Sequence, residues 1–114
     1  MSSSIEETTL DQVAAQMGGK EVLGRIVGMY TGKLPTEVEG LRAALDSGDL
    51  ETVQADAHRL KSSSGQLGAS RLAALLADLE EAGRDRDADS AGRIMAEVTI
   101  EAERVRADLE AFAA

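Results

Sequence analysis

The chain has 114 residues, enough for one domain with one core and too few for two ordinary ones. Hydrophobic residues make up 43% and aromatic residues only 2%, so the core must be built from Leu, Val, Ile, Ala and Met, which suits helices better than sheets. A net charge of −9 works against binding nucleic acid or anionic membranes, and the absence of cysteine excludes disulfides, thiol catalysis and zinc sites of the Cys type.

The first residues, "MSSSIEETTL", lack the basic region and apolar run of a secretory signal. No stretch approaches the roughly 18 apolar residues of a membrane span, so the expectation is a cytoplasmic protein. Residues 1–8 read as a flexible tail, because the serines have no apolar periodicity to bury, and residues 9–114 as one helical domain. Leu10, Val13, Ala14 and Met17 then follow helical spacing up to Gly18-Gly19, which predicts a short first helix.

Val22, Leu23, Ile26, Val27 and Tyr30 continue at steps of three and four. Gly32 and Pro35 predict a break or a fresh first turn before Val38, Leu41, Ala44 and Leu45 resume the stripe. In "DSGD" (46–49), Gly48 reads as a helix stop and Asp49 as an N-cap. Leu50, Val53, Ala57, Leu60, Ser64 and Leu67 mark one buried face of the next helix. Gly68 closes it, and Ser70 is expected to cap its successor, whose stripe is Leu72, Leu75, Leu76 and Leu79. After the charged "EAGRDRDAD" (81–89), a last helix of about 25 residues buries Ile94, Met95, Val98, Ala102, Val105, Leu109 and Phe112. The prediction is an all-α fold: an antiparallel four-helix bundle with a short extra N-terminal helix, monomeric.

His58 is the only histidine, and at about 100° per residue it lies well away from the apolar row of its helix. Gln54, Lys61, Ser62 and Gly65 share its side, at spacings of four, three, four and seven. No acidic residue occurs from Ala57 to Ala77, the longest acid-free run in this acidic chain, while Arg59, Lys61 and Arg71 fall within it. Such a patch tolerates an anion: Lys61 can neutralise part of a dianionic group and the Ser62 hydroxyl can donate to its oxygens, with Gly65 leaving room for approach. Gln54 is the weakest member. Ser63 and Ser64 read as structural, Ser64 bonding a carbonyl one turn back.

An antiparallel helix pair turning at Gly68-Ala69 brings residues whose numbers sum to about 138 to one height, which sets Glu80 opposite His58. A carboxylate accepting one ring N–H fixes the tautomer and leaves the other nitrogen as a nucleophile. The chemistry suggested is an imidazole accepting a phosphoryl group. A di-metal carboxylate bundle is set aside, because it needs Glu-x-x-His pairs on two helices.

The stretch "AHRLKSSSGQLGA" resembles the signature A-H-x-L-K-G-S-S-x-x-L-G-A of histidine-containing phosphotransfer (HPt) domains, matching at Ala57, His58, Leu60, Lys61, Ser63, Ser64, Leu67, Gly68 and Ala69. "ALDSGD" and "LEEAGR" are similar to further family runs, and the likeness extends over about residues 8 to 112. It implies that His58 is phosphorylated, that Lys61 supports the phosphoryl group, and that Glu80 holds the histidine. Ser62 departs from the pattern, standing where the family usually has glycine.

The function expected is that of a phosphorelay intermediate, in which His58 exchanges a phosphoryl group with aspartates on receiver domains of hybrid histidine kinases and response regulators. No Gly-rich nucleotide loop is present, so the chain is a carrier and not an ATP-using enzyme. No cofactor or metal is expected on it, Mg2+ belonging to the receiver. The alternative is a non-catalytic helical adaptor that docks partners through the face around His58.

Overall fold

The computed structural model describes residues 4–113. They form five helices: α1 (Glu7–Met17), α2 (Lys20–Asp46), α3 (Leu50–Gln66), α4 (Ser70–Arg84) and α5 (Ala88–Ala113). Helices α2 to α5 close a ring in which each packs on two neighbours, and α1 lies against α2. At about 1.5 Å per residue a helix of α2's length spans roughly 40 Å, the 42 Å long axis of the molecule. The all-α bundle with its short N-terminal helix is therefore as the periodicity predicts.

The core follows the stripes. Leu23, Val27, Leu34 and Leu41 of α2 meet Val53, Ala57 and Leu60 of α3, Leu72, Leu76 and Leu79 of α4, and Met95, Val98, Val105 and Leu109 of α5. The aromatic residues Tyr30 and Phe112 are only partly buried. Branched and unbranched aliphatics thus carry the packing, at roughly 1.5–3 kcal/mol for each fully buried side chain.

The α2–α3 and α4–α5 turns share one geometry. After Ser47 and Asp85, Gly48 and Arg86 adopt positive φ (76° and 56°), and Asp49 and Asp87 then accept the backbone N–H of Thr52 and Ser90, each at 3.1 Å. Hydrogen bonds donated by the Thr52 and Ser90 hydroxyls, and after them these backbone N–H bonds, hold both aspartates below the usual carboxylate range. Asp49 was expected from the sequence as a cap; the matching turn around Arg86 was not, since arginine seldom adopts that backbone.

Four expectations are corrected. Helix α2 does not break at Pro35, which lies inside it. Proline removes one backbone N–H, but the buried row Leu23, Val27, Thr31, Leu34, Leu41 continues on both sides of it, so both halves are held to one core. Residues 4–8 are not a tail: Ser4 and Ile5 are buried, the Ser4 N–H donates to Asp108 (2.9 Å), the Glu6 N–H donates to the Gly68 carbonyl (2.8 Å), and α1 begins at Glu7. Residues 1–3 of that segment lie outside the described residues. Ser70 does not cap α4; its hydroxyl donates to the Glu6 carboxylate. Ser64, fully buried, lies 2.6 Å from the Tyr30 hydroxyl on α2, and its Oγ is spent there instead of on the preceding turn. Burial pushes the Tyr30 phenol up to about 12, against the opposing effect of the Ser64 hydrogen bond.

The α3–α4 turn is the tightest junction. Gly68 has φ +79°, and a Cβ there would fall 2.8 Å from the Glu6 carbonyl oxygen, so Glu6 straps the turn that sets the α3–α4 register. Gly83 does the same at the far end of the pair: a Cβ would meet the Gln54 nitrogen and the Leu50 oxygen at 3.0 Å each. Glycine lets the α4 backbone lie directly on the first turns of α3.

Candidate functional site

The α3–α4 register places Glu80 opposite His58. The imidazole Nδ1 is 3.0 Å from Glu80 Oε2, and the Lys61 ammonium donates to Glu80 Oε1 at 2.8 Å. Arg84, one turn further along α4, brings a guanidinium nitrogen to 3.6 Å from Oε2. The carboxylate is thus shared by an imidazole and two cations.

Burial divides these groups into a base and a presented ring. The Glu80 side chain is 11% exposed, whereas the His58 side chain is 63% exposed. Glu80 accepts the short Lys61 bond and the His58 bond, and together these hold its carboxyl below the usual glutamate range against the opposing effect of burial. It is therefore ionised at neutral pH, and an ionised carboxylate can only accept. The Nδ1 proton is then the one in the hydrogen bond, and in the neutral ring Nε2 carries the lone pair. Nε2 has no hydrogen-bond partner among the described residues.

Other expected site residues separate. Lys61 is on the site, a third exposed, yet its ammonium rests on Glu80. The Ser62 hydroxyl turns back to the His58 carbonyl at 3.3 Å, and Ser63 likewise donates to the Leu60 carbonyl. Gln54 brings its backbone to the Gly83 contact, and its side chain makes no hydrogen bond among the described residues. Leu60 is buried, as the stripe requires.

Sequence reasoning missed two contributors. Arg84 lies at i+4 from Glu80, a spacing that flags an ion pair on any helix. Gly83 was legible only as a glycine late in a helix, and its role depends on the tertiary contact with α3. A third feature lies beside the site: an open groove of about 550 Å³ between α1, α2 and α3. Val13, Met17, Ile26 and Met29 line it with apolar side chains, Met17 and Met29 being exposed, and Arg59 and Ser63, near neighbours of His58 on α3, line it too.

Comparison with known proteins bears on the family and the fold. The Hpt domain family matches residues 25–112, which include α3, α4 and nearly all of α5. Among curated proteins none matches. A solved structure of histidine-containing phosphotransfer protein B (HptB) from Pseudomonas aeruginosa PAO1 is similar to this chain with a TM-score of 0.91 and 21% identity, over 99% of this chain and 96% of that one. At that identity the likeness is one of fold. The family match, which takes in the whole of the His58 motif, rests on sequence, and by it the chain belongs to the Hpt domain family, the histidine phosphotransfer domains of phosphorelay signalling.

Proposed function

We propose that His58 is the phosphoacceptor of this domain, taking a phosphoryl group from a receiver-domain aspartate and passing it to another. The observation that carries the reading is an exposed imidazole whose Nδ1 proton is held by a buried, ionised carboxylate. The Nε2 lone pair attacks phosphorus, the acyl-phosphate P–O bond breaks, and the aspartate leaves as a carboxylate. Glu80 keeps the ring in the nucleophilic tautomer, and Lys61, with an aliphatic stem long enough to swing from Glu80, meets the incoming dianion.

The chain acts as a phosphocarrier. Its partners are receiver domains of hybrid kinases and response regulators in the cytoplasm, which supply Mg2+ and the acid–base groups from their own pockets. The groove beside His58 offers an apolar seat for a partner helix. Ser62 adds a Cβ and hydroxyl one turn from the ring, and it narrows the set of receivers that can approach closely.

Incubation with a phosphorylated receiver domain tests the assignment. Wild-type protein is expected to gain acid-labile, alkali-stable label, and His58→Gln to gain none. Equal labelling of the two proteins would overturn it. The adaptor reading predicts docking without label, and unchanged signalling on that substitution.

A further inference from the structure

The site has one oddity: the group holding the histidine is a full negative charge, not a neutral amide. Orientation alone does not need a charge. A neutral side-chain carbonyl at 3.0 Å would accept the Nδ1 proton equally well and would not repel a phosphoryl dianion arriving on the same ring.

We propose that the charge of Glu80 serves the departure of the phosphoryl group: it keeps the proton on Nδ1 of phospho-His58, so that the ring leaves as neutral imidazole. This rests on the phosphoacceptor reading and deepens it. In the onward step an aspartate oxygen of the receiver, or a water oxygen in hydrolysis, attacks phosphorus. The Nε2–P bond breaks and its electron pair returns to Nε2. If Nδ1 still bears its proton, the product is a neutral imidazole. If that proton has gone, the leaving group is an imidazolate anion, which is far poorer. Capture runs the same path backwards, with the imidazolium charge formed on attack offset by the carboxylate. Glu80 is thus a positioning residue whose charge eases transfer in both directions, as a two-way carrier requires.

The surrounding charges tie this to occupancy of the ring. Around His58, α3 contributes Lys61 and the Arg59–Asp56 pair (3.1 Å), and α4 contributes Glu80 and Arg84. In the structure Lys61 draws on the carboxylate at 2.8 Å. A phosphoryl dianion on Nε2 competes for that ammonium, and as Lys61 turns to it, the Glu80 charge is left to the Nδ1 proton. Loading the ring therefore strengthens the bond that prepares it for unloading.

The test charges wild type, Glu80→Gln and Glu80→Asp with potassium phosphoramidate and follows loss of phospho-His58 by intact mass from pH 5 to 9. For wild type, rapid loss is expected to persist to a pH about one unit or more above that of the Gln variant, so that near pH 8 the Gln variant holds its phosphoryl group about tenfold longer. Glu80→Asp, which keeps the charge, is expected to give a profile on the wild-type side. Coincident wild-type and Gln profiles would overturn the inference, and a purely orienting role for residue 80 predicts that result. A wild type that takes no phosphoryl group at His58 overturns the carrier reading itself, and this inference with it.

Discussion

Glu80 and Glu101 are both buried carboxylates on neighbouring helices of one bundle, and their surroundings differ in kind. Glu80 on α4 accepts two hydrogen bonds, from His58 and Lys61, and has Arg84 at 3.6 Å. Glu101 on α5 is 2% exposed, and neither of its oxygens accepts a hydrogen bond among the described residues. Its nearest cations, Arg71 and Arg104, stand at 3.6 and 3.7 Å. A buried carboxylate with full hydrogen bonding is a tool, because its charge acts through a fixed geometry. One with distant charge partners alone is chiefly a cost, since desolvation is only partly offset. Of the two carboxylates, the one whose charge is fully hydrogen-bonded is thus the one at the α3–α4 seam, where the only histidine is held.

The largest expected effect breaks the seam that gives Glu80 its partners. Gly83→Val places side-chain carbon against the Gln54 nitrogen and Leu50 oxygen, where even a Cβ would have only 3.0 Å. Overpacking against backbone costs about 3 kcal/mol, readable as a lower urea midpoint. It also moves α4 off α3, so the histidine ring resonances of the variant are expected to lose their sensitivity to Glu80→Gln. Gly83→Ala is milder, because alanine's helix propensity returns about 1 kcal/mol.

Glu101 responds in the opposite direction. Glu101→Leu removes a desolvated carboxylate and fills the space with apolar volume, so stability is expected to rise by about 1 kcal/mol. Chemical denaturation of the two proteins checks this, and phosphotransfer at His58 is expected to be unchanged. A loss of stability would mean that the Arg71 and Arg104 pairs hold α5 in place more firmly than their distances suggest, and the contrast with Glu80 would narrow.

How much of this was legible in the sequence follows from the range of the interactions. The bundle was, because apolar spacing along each helix is local information. So was the meeting of His58 and Glu80, since a tight turn at Gly68 fixes the register of two adjacent helices by arithmetic. Contacts between elements distant in sequence were not. Ser64 looked like a helix serine satisfied within its own turn, and its partner Tyr30 is 34 residues away. Pro35 looked like a break, because local chemistry says so, and only the shared burial of both halves of α2 overrides it. Ile5 and Glu6 looked like a tail for want of periodicity, but single residues suffice to strap a turn. Glu101 was passed over for the same reason, one carboxylate set among the buried Val98, Ala102 and Val105.

The smallest effect sharpens the comparison through pH. Lys61, with His58, holds the Glu80 carboxyl below its ordinary value in the folded chain. A group whose folded pKa is depressed contributes stability that is complete above its unfolded value, about 4.3 for glutamate, and is lost as the pH falls through the folded value. Wild-type protein therefore loses this contribution on acidification from about pH 5 towards pH 3, while Glu80→Gln, having no proton to take up there, does not. The difference in urea midpoint between the two should shrink over that interval and stay constant from pH 5 to pH 6. Equal acid sensitivity of the two proteins would mean that Glu80 is not held ionised by Lys61 and His58. The same result would remove the fixed negative charge on which the departure of the phosphoryl group is argued to depend.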